Sequence, residues 1–214
     1  MTIELTADDN EVKQLCIEPL FKSADDALRF AYHFSAQQYD RPLMNRMADK
    51  TSRSGKGLAG LDGSGQAGMI RREMAALGPF YEAIVIANYA PRDIPCECRA
   101  PCCSGAKVNK EWSAAIDIVT TEAMQHLTGK LSHYKLRRSI VERQFGVKHK
   151  IGDMADECGV DRDTASAHNM ILTMWLTGDK KRDVPNRKIG EIFRAITAAS
   201  EALWQAGFIG AINR

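Results

Sequence analysis

The sequence predicts a mainly α-helical protein built around a helix-turn-helix, with a second, degenerate helix-turn-helix that carries a cysteine-rich insert. Three observations predict it. Apolar residues recur at helical spacing through most of the chain, while β-branched runs are short and rarely alternate with period two. The stretch "IGDMADECGVDRDTASAHNM" (151–170) has the chemistry of two helices joined by a tight turn. The stretch "PCECRAPCC" (95–103) crowds four cysteines between helical segments.

Composition sets the outer bounds. The 214 residues suffice for one large domain or two small ones, and 44% hydrophobic content supports a real core. The most apolar stretch, "YEAIVIANYA" (81–90), is broken by Glu82 and Asn88 and falls well short of the roughly 20 residues of a membrane span. The opening "MTIELTADDNE" is acidic and has no apolar core of the kind a secretory signal needs. A cytoplasmic protein is expected, in a reducing compartment where stable disulfides are rare. Net charge is only +2. The distribution is uneven, however: residues 133–150 hold six Lys and Arg and two His against one Glu. A stretch of this kind serves either as a solvated helix face or as a phosphate contact.

In chain order, residues 1–49 read as an N-terminal arm and a helix. Ser23 is its cap, and Ala27, Phe30, Ala31 and Phe34 share a face. Residues 50–68 contain six glycines and read as a linker or loop. Within it "GSGQAG" (63–68) matches G-x-G-x-x-G, but no strand precedes it, so no dinucleotide site is expected. Residues 69–130 form the degenerate unit and residues 131–178 the helix-turn-helix unit. Residues 179–214 contain an amphipathic C-terminal helix with Ile189, Ile192, Phe193, Ile196 and Leu203 on one stripe.

The helix-turn-helix rests on mechanics. Ala155 is small where two helices would cross, and Gly159 suits a turn that needs positive φ. Val160 plugs the turn, and Asp161 caps the second helix near Thr164. Met154 and Cys158 fall on the inward face, which makes Cys158 a small hydrophobe. The second helix would enter the major groove of double-stranded DNA and present Arg162, Thr164, Ser166, His168 and Asn169. Arg162 suits guanine, while Lys148 and Lys150 suit phosphates. Ala165 stands where a bulkier residue is usual, and His168 or Asn169 where an aliphatic one is.

A weak internal repeat places the cysteines. Ile84, Val85 and Tyr89 align with Ile140, Val141 and Phe145, and "VNKEWSAA" aligns with "VDRDTASA". Lys110 thereby stands opposite Arg162 and joins the candidate DNA contacts, and the cysteine segment takes the place of a middle helix. With Pro91, Pro95 and Pro101 that segment cannot be an ordinary helix. Thiolates from Cys96, Cys98, Cys102 and Cys103 could close a structural zinc site, with His126 or His133 as substitutes. Unpaired thiols and a redox centre are the other readings, the last without a nearby general base.

Residues 136–172 resemble the region-4-type helix-turn-helix of sigma factors. The "YAPRDIPCECRAPCCSG" block, followed by "CGVDRDTASAHN", resembles phage and prophage late-gene regulators, the Q-type antiterminators among them. The resemblance spans roughly residues 77–172. It implies a non-enzymatic protein that binds DNA near a late promoter, loads onto paused RNA polymerase and promotes terminator readthrough. Assembly as a homo-oligomer on DNA fits the same class. The rivals are a repressor or activator acting at initiation and a phage DNA-packaging or structural DNA-binding protein. No Ser-His-Asp set, carboxylate pair or zinc-protease helix is readable, so no catalysis is expected.

Overall fold

The computed structural model describes residues 19–38, 61–96, 98, 103–127, 133–179 and 188–210. Among them are eight α-helices and one two-stranded sheet, so the protein is mainly α. Helix α1 (Ala24–Gln38) starts on Ser23, whose hydroxyl accepts from the Asp26 amide at 3.2 Å. Its inward residues are Ala27, Leu28, Ala31 and Tyr32, with Phe30 in tilted ring contact with Phe21 and Phe34 at the rim.

Helix α2 (Leu61–Ala76) corrects the expected linker: residues 61–68, three glycines included, are helical. The boundary drawn at 68/69 therefore falls inside a helix, and residues 50–60 lie outside the described residues. A Cβ at Gly65 or Gly68 would meet nothing within 4 Å, so close packing does not call for these glycines. Each costs the helix about 1 kcal/mol relative to alanine. Complete burial of Ile70 and Met74, at roughly 1.5–3 kcal/mol each, outweighs that cost.

Helix α3 (Pro79–Tyr89) begins with Pro79 behind Gly78, which takes φ 92°. Proline's fixed φ suits a first helical turn. The helix is apolar on nearly all sides and lies between two hydrophobic clusters. Ala83, Ile84 and Ala87 belong to the one built with α4 to α7, and Val85 and Tyr89 to the one built with α1, α2 and α8. Strands β1 (Asp93–Pro95) and β2 (Ala106–Val108) follow as an antiparallel hairpin, Ile94 opposite Lys107. Helix α4 (Lys110–Glu122) starts on Asn109, whose side chain accepts from the Glu111 amide. Strands β1 and β2 thus lie between α3 and α4 in the chain.

A 3-10 turn (Ala123–Leu127) leads toward α5 (Tyr134–Gln144), α6 (Ile151–Cys158), α7 (Arg162–Thr177) and α8 (Glu191–Gln205). Helix α8 differs from the expected stripe. Its buried residues are Ala195, Ala199 and Leu203, whereas Phe193 is 60% exposed and Ile189 is also exposed. The two alanines bring α8 close to its neighbours, which turns Phe193 outward. Before α8, Gly178 bridges Ile189 across the chain, and Asp179 N–H donates to the Lys188 carbonyl. A Cβ on Gly190 would collide with the backbone of residues 176–178.

Two glycine substitutions should separate backbone strain from backbone collision. Gly159→Ala, with φ 62° and open space around its Cβ position, should lose about 1 kcal/mol of stability. Gly190→Ala should lose more than about 2 kcal/mol, because rigid main chain must move. Urea midpoints compare the two. Equal losses would show that close chain approach is not what Gly190 provides.

Candidate functional site

Helix α6 is eight residues long and ends on Gly159 in the left-handed region. The Val160 amide reaches back to the Ala155 carbonyl at 3.0 Å, which closes the turn in the manner of a Schellman motif. Asp161 then caps α7, its Oδ2 accepting from the amides of Asp163 and Thr164 at 3.0 and 3.3 Å. Met154, Ala155, Ala165 and Leu172 are buried between α6, α7 and the core, and Val160 and Cys158 pack against them. The small Ala165 and Ala155 let the two helices approach closely, which is why a bulkier residue is absent there.

The candidate reading residues separate. Arg162, Thr164 and Ser166 are exposed at the start of α7. His168 is only 2% exposed and faces the core, so the expectation that it reads bases is corrected: at this phase of α7 the imidazole points inward. Asn169 is half-buried and accepts from Arg143 Nη1 at 3.0 Å; beside it Gln144 donates to Thr173 at 3.0 Å. These two contacts fasten α7 to α5. The Arg162 guanidinium lies over Gly152, where an added Cβ would displace the flexible end of that side chain. Gly152 was missed by sequence reasoning, although a glycine inside so short a helix was itself a signal.

The basic stretch also divides. Arg137 is 7% exposed and donates to the Thr120 carbonyl. Arg138 donates to Asp117, to Ser113 at 2.9 Å and to Glu142 at 2.9 Å. Burial works against the Arg138 charge, but hydrogen bonds with Tyr134, Glu142 and Asp117 outweigh it and raise its pKa above the ordinary value. Lys135 pairs with Glu157 on α6 at 3.3 Å. Of the remainder, Arg143, Lys148 and Lys150 are exposed around an open depression of about 450 Å³ that Gly146, Val147 and His149 complete. Asp153, Asp156 and Asp163 are exposed on the same unit, so its exposed charge is mixed rather than uniformly basic. Lys110 is exposed in the first turn of α4, on a different helix.

The hairpin assembles the cysteines. The Cys96 amide donates to the Gly105 carbonyl at 2.9 Å and extends the ladder one step past Pro95. Gly105 takes φ 78° and donates to the Cys103 sulfur at 3.4 Å. The sulfurs of Cys96, Cys98 and Cys103 lie within 4.8 Å of one another, close enough to hold one metal ion. Cys102 lies outside the described residues. His126 stacks on Trp175 at 4.5 Å and His133 precedes α5; neither joins the cysteines, which corrects their role as substitutes. A backbone hydrogen bond from Cys98 favours the Cys96 thiolate, yet the thiols of Cys98 and Cys103 outweigh it and hold the Cys96 thiol above its usual range. A bound cation would reverse that balance, since thiolates are the ligating form.

No helix among the described residues is long and apolar enough to cross a membrane. Comparison of the chain with known protein families, curated proteins and solved structures finds no match in any of the three.

Proposed function

We propose that the chain is a double-stranded DNA-binding regulator of transcription that reads its site with α7. The observation that carries this reading is the turn between α6 and α7: a left-handed Gly159, an Asp161 cap, and an exposed first turn bearing Arg162, Thr164 and Ser166. Such a turn presents a helix N-terminus as groove-reading helices require. Lys148 and Lys150, just before α6, take the role of phosphate contacts, and Arg162 that of a guanine contact. His168 has no part in it, and Asn169 serves α5 as much as DNA.

Within this class the resemblance favours antitermination, with RNA polymerase as the second partner. The cysteine cluster takes zinc in this proposal: three close thiolates suit a borderline-soft cation, and the hairpin is too short to be stable alone. The zinc is structural and orders the hairpin that leads into α4.

Substitutions should sort the DNA contacts. With the preferred site found by selection from random duplexes, Arg162→Ala should lose about 1–3 kcal/mol there and little on unrelated DNA. Lys148→Ala and Lys150→Ala should weaken both and each reduce the salt slope by about 1. Unchanged site preference in Arg162→Ala would remove α7 as the reader.

Metal content tests the cluster independently. Protein purified without chelator should carry about one zinc per chain, and Cys98→Ser should release it and lower the melting temperature. Metal-free protein of unaltered stability would remove zinc and leave the DNA reading standing.

Purified transcription tests the activity. With one promoter, the selected site and a downstream intrinsic terminator, the protein should raise readthrough at constant initiation. Altered initiation with normal termination would make it a repressor or activator instead.

A further inference from the structure

The loop between α5 and α6 alternates along its length. Val147 is buried, Lys148 exposed, His149 half-buried and Lys150 exposed. The His149 amide donates to the Val147 carbonyl at 3.1 Å, which closes a three-residue turn centred on the exposed Lys148. The inward His149 meets Glu142, Nε2 to Oε2 at 3.1 Å. The Glu142 side chain is 16% exposed, and its other oxygen accepts from Arg138, which is tied to Ser113 and Asp117 of α4. The Glu142 carbonyl also accepts from the amides of Phe145 and Val147. One residue thus holds the loop by both its main chain and its side chain.

An acid here is unexpected on charge alone. It stands in a basic stretch beside a depression lined by Arg143, Lys148 and Lys150, where it opposes any anion. We propose that Glu142 is a positioning residue for nucleic-acid phosphates: by holding His149 inward it sets Lys148 and Lys150 outward as a pair. The inference rests on the DNA-binding reading and assigns within it a residue that touches no DNA. Both lysines border the same open depression, one on each side of His149. A loop already held in this form has less freedom to lose on binding.

The sign of one substitution tests the proposal. Binding to a fluorescein-labelled mixed-sequence duplex is followed by anisotropy across a salt series. A bystander acid, once removed, leaves a more positive loop, so Glu142→Ala would then bind more tightly. As a positioning residue its loss should weaken binding several-fold and lower the salt slope by about 1. Glu142→Gln, whose amide oxygen still accepts from Arg138 while its NH2 donates to Nε2 of a His149 carrying its proton on Nδ1, should restore most of the affinity. His149→Ala leaves the Arg138–Glu142 pair in place and should reproduce the loss, with the double variant no worse than either single one. Should Glu142→Ala fail to fold, His149→Ala alone decides by its salt slope. Tighter binding by Glu142→Ala, additive losses, or an unchanged slope in His149→Ala overturns the proposal. If Lys148→Ala/Lys150→Ala binds the duplex as well as the unaltered chain, the DNA reading of this loop falls first and the proposal with it.

Discussion

Everything else in the fold leans on the burial of α3. Its eleven residues are apolar on nearly every face, so no orientation satisfies it against a single partner. The chain answers with two hydrophobic clusters, one on each side, and Ile86 packs against both. Polar anchoring completes the arrangement, since the Trp112 indole donates to the Ala87 carbonyl at 3.1 Å from the facing α4. Further out, Arg71 of α2 joins three helices: it donates to the Ala31 carbonyl, pairs with Glu111 at 2.7 Å and covers the Tyr32 ring. Burial accordingly pushes the Tyr32 hydroxyl pKa well above its ordinary range.

From α3 outward the later half is placed step by step. Helix α4 packs on α3, α5 on α4, and α6 and α7 on α5, each step with a polar fastening beside its apolar one. Arg138 stands at the centre of this series, bonded to two residues of α4 and to Glu142 on its own helix. The hairpin is placed from the other end of α4. Asn109, which caps that helix, also donates from its side chain to the Pro91 carbonyl, while its amide donates to Arg92. Cysteine cluster and helix-turn-helix are thus two attachments on one helical support.

What was legible in the sequence was local. The turn from Gly159 to Asp161 could be read because φ preference and capping depend on neighbours within a few residues. The cysteine cluster was visible as composition, but its two strands of three residues are too short to show any period. Phase within a helix was not legible: His168 and Ser166 are equally polar, and only packing against α5 and the core decides which is buried. The glycines of α2 misled for a related reason. Their local preference is for a loop, and the burial that overrides it belongs to residues nearer the other end of the helix. In the basic stretch, Arg137 and Arg138 fasten α5 to α4 while Lys135, Arg143, Lys148 and Lys150 are exposed, a division that charge counting cannot make.

The clamp between Gly178 and Ile189 bears on how the chain tolerates change. Main chain on the two sides of it is bonded directly, the Asp179 amide donating to the Lys188 carbonyl at 3.0 Å. The register of α7 against α8 is therefore set by main chain at their own ends. Change is tolerated least at the clamp itself: a Cβ on Gly178 or Gly190 would meet main-chain atoms, and a shift there would carry α8 away from the support beneath α3.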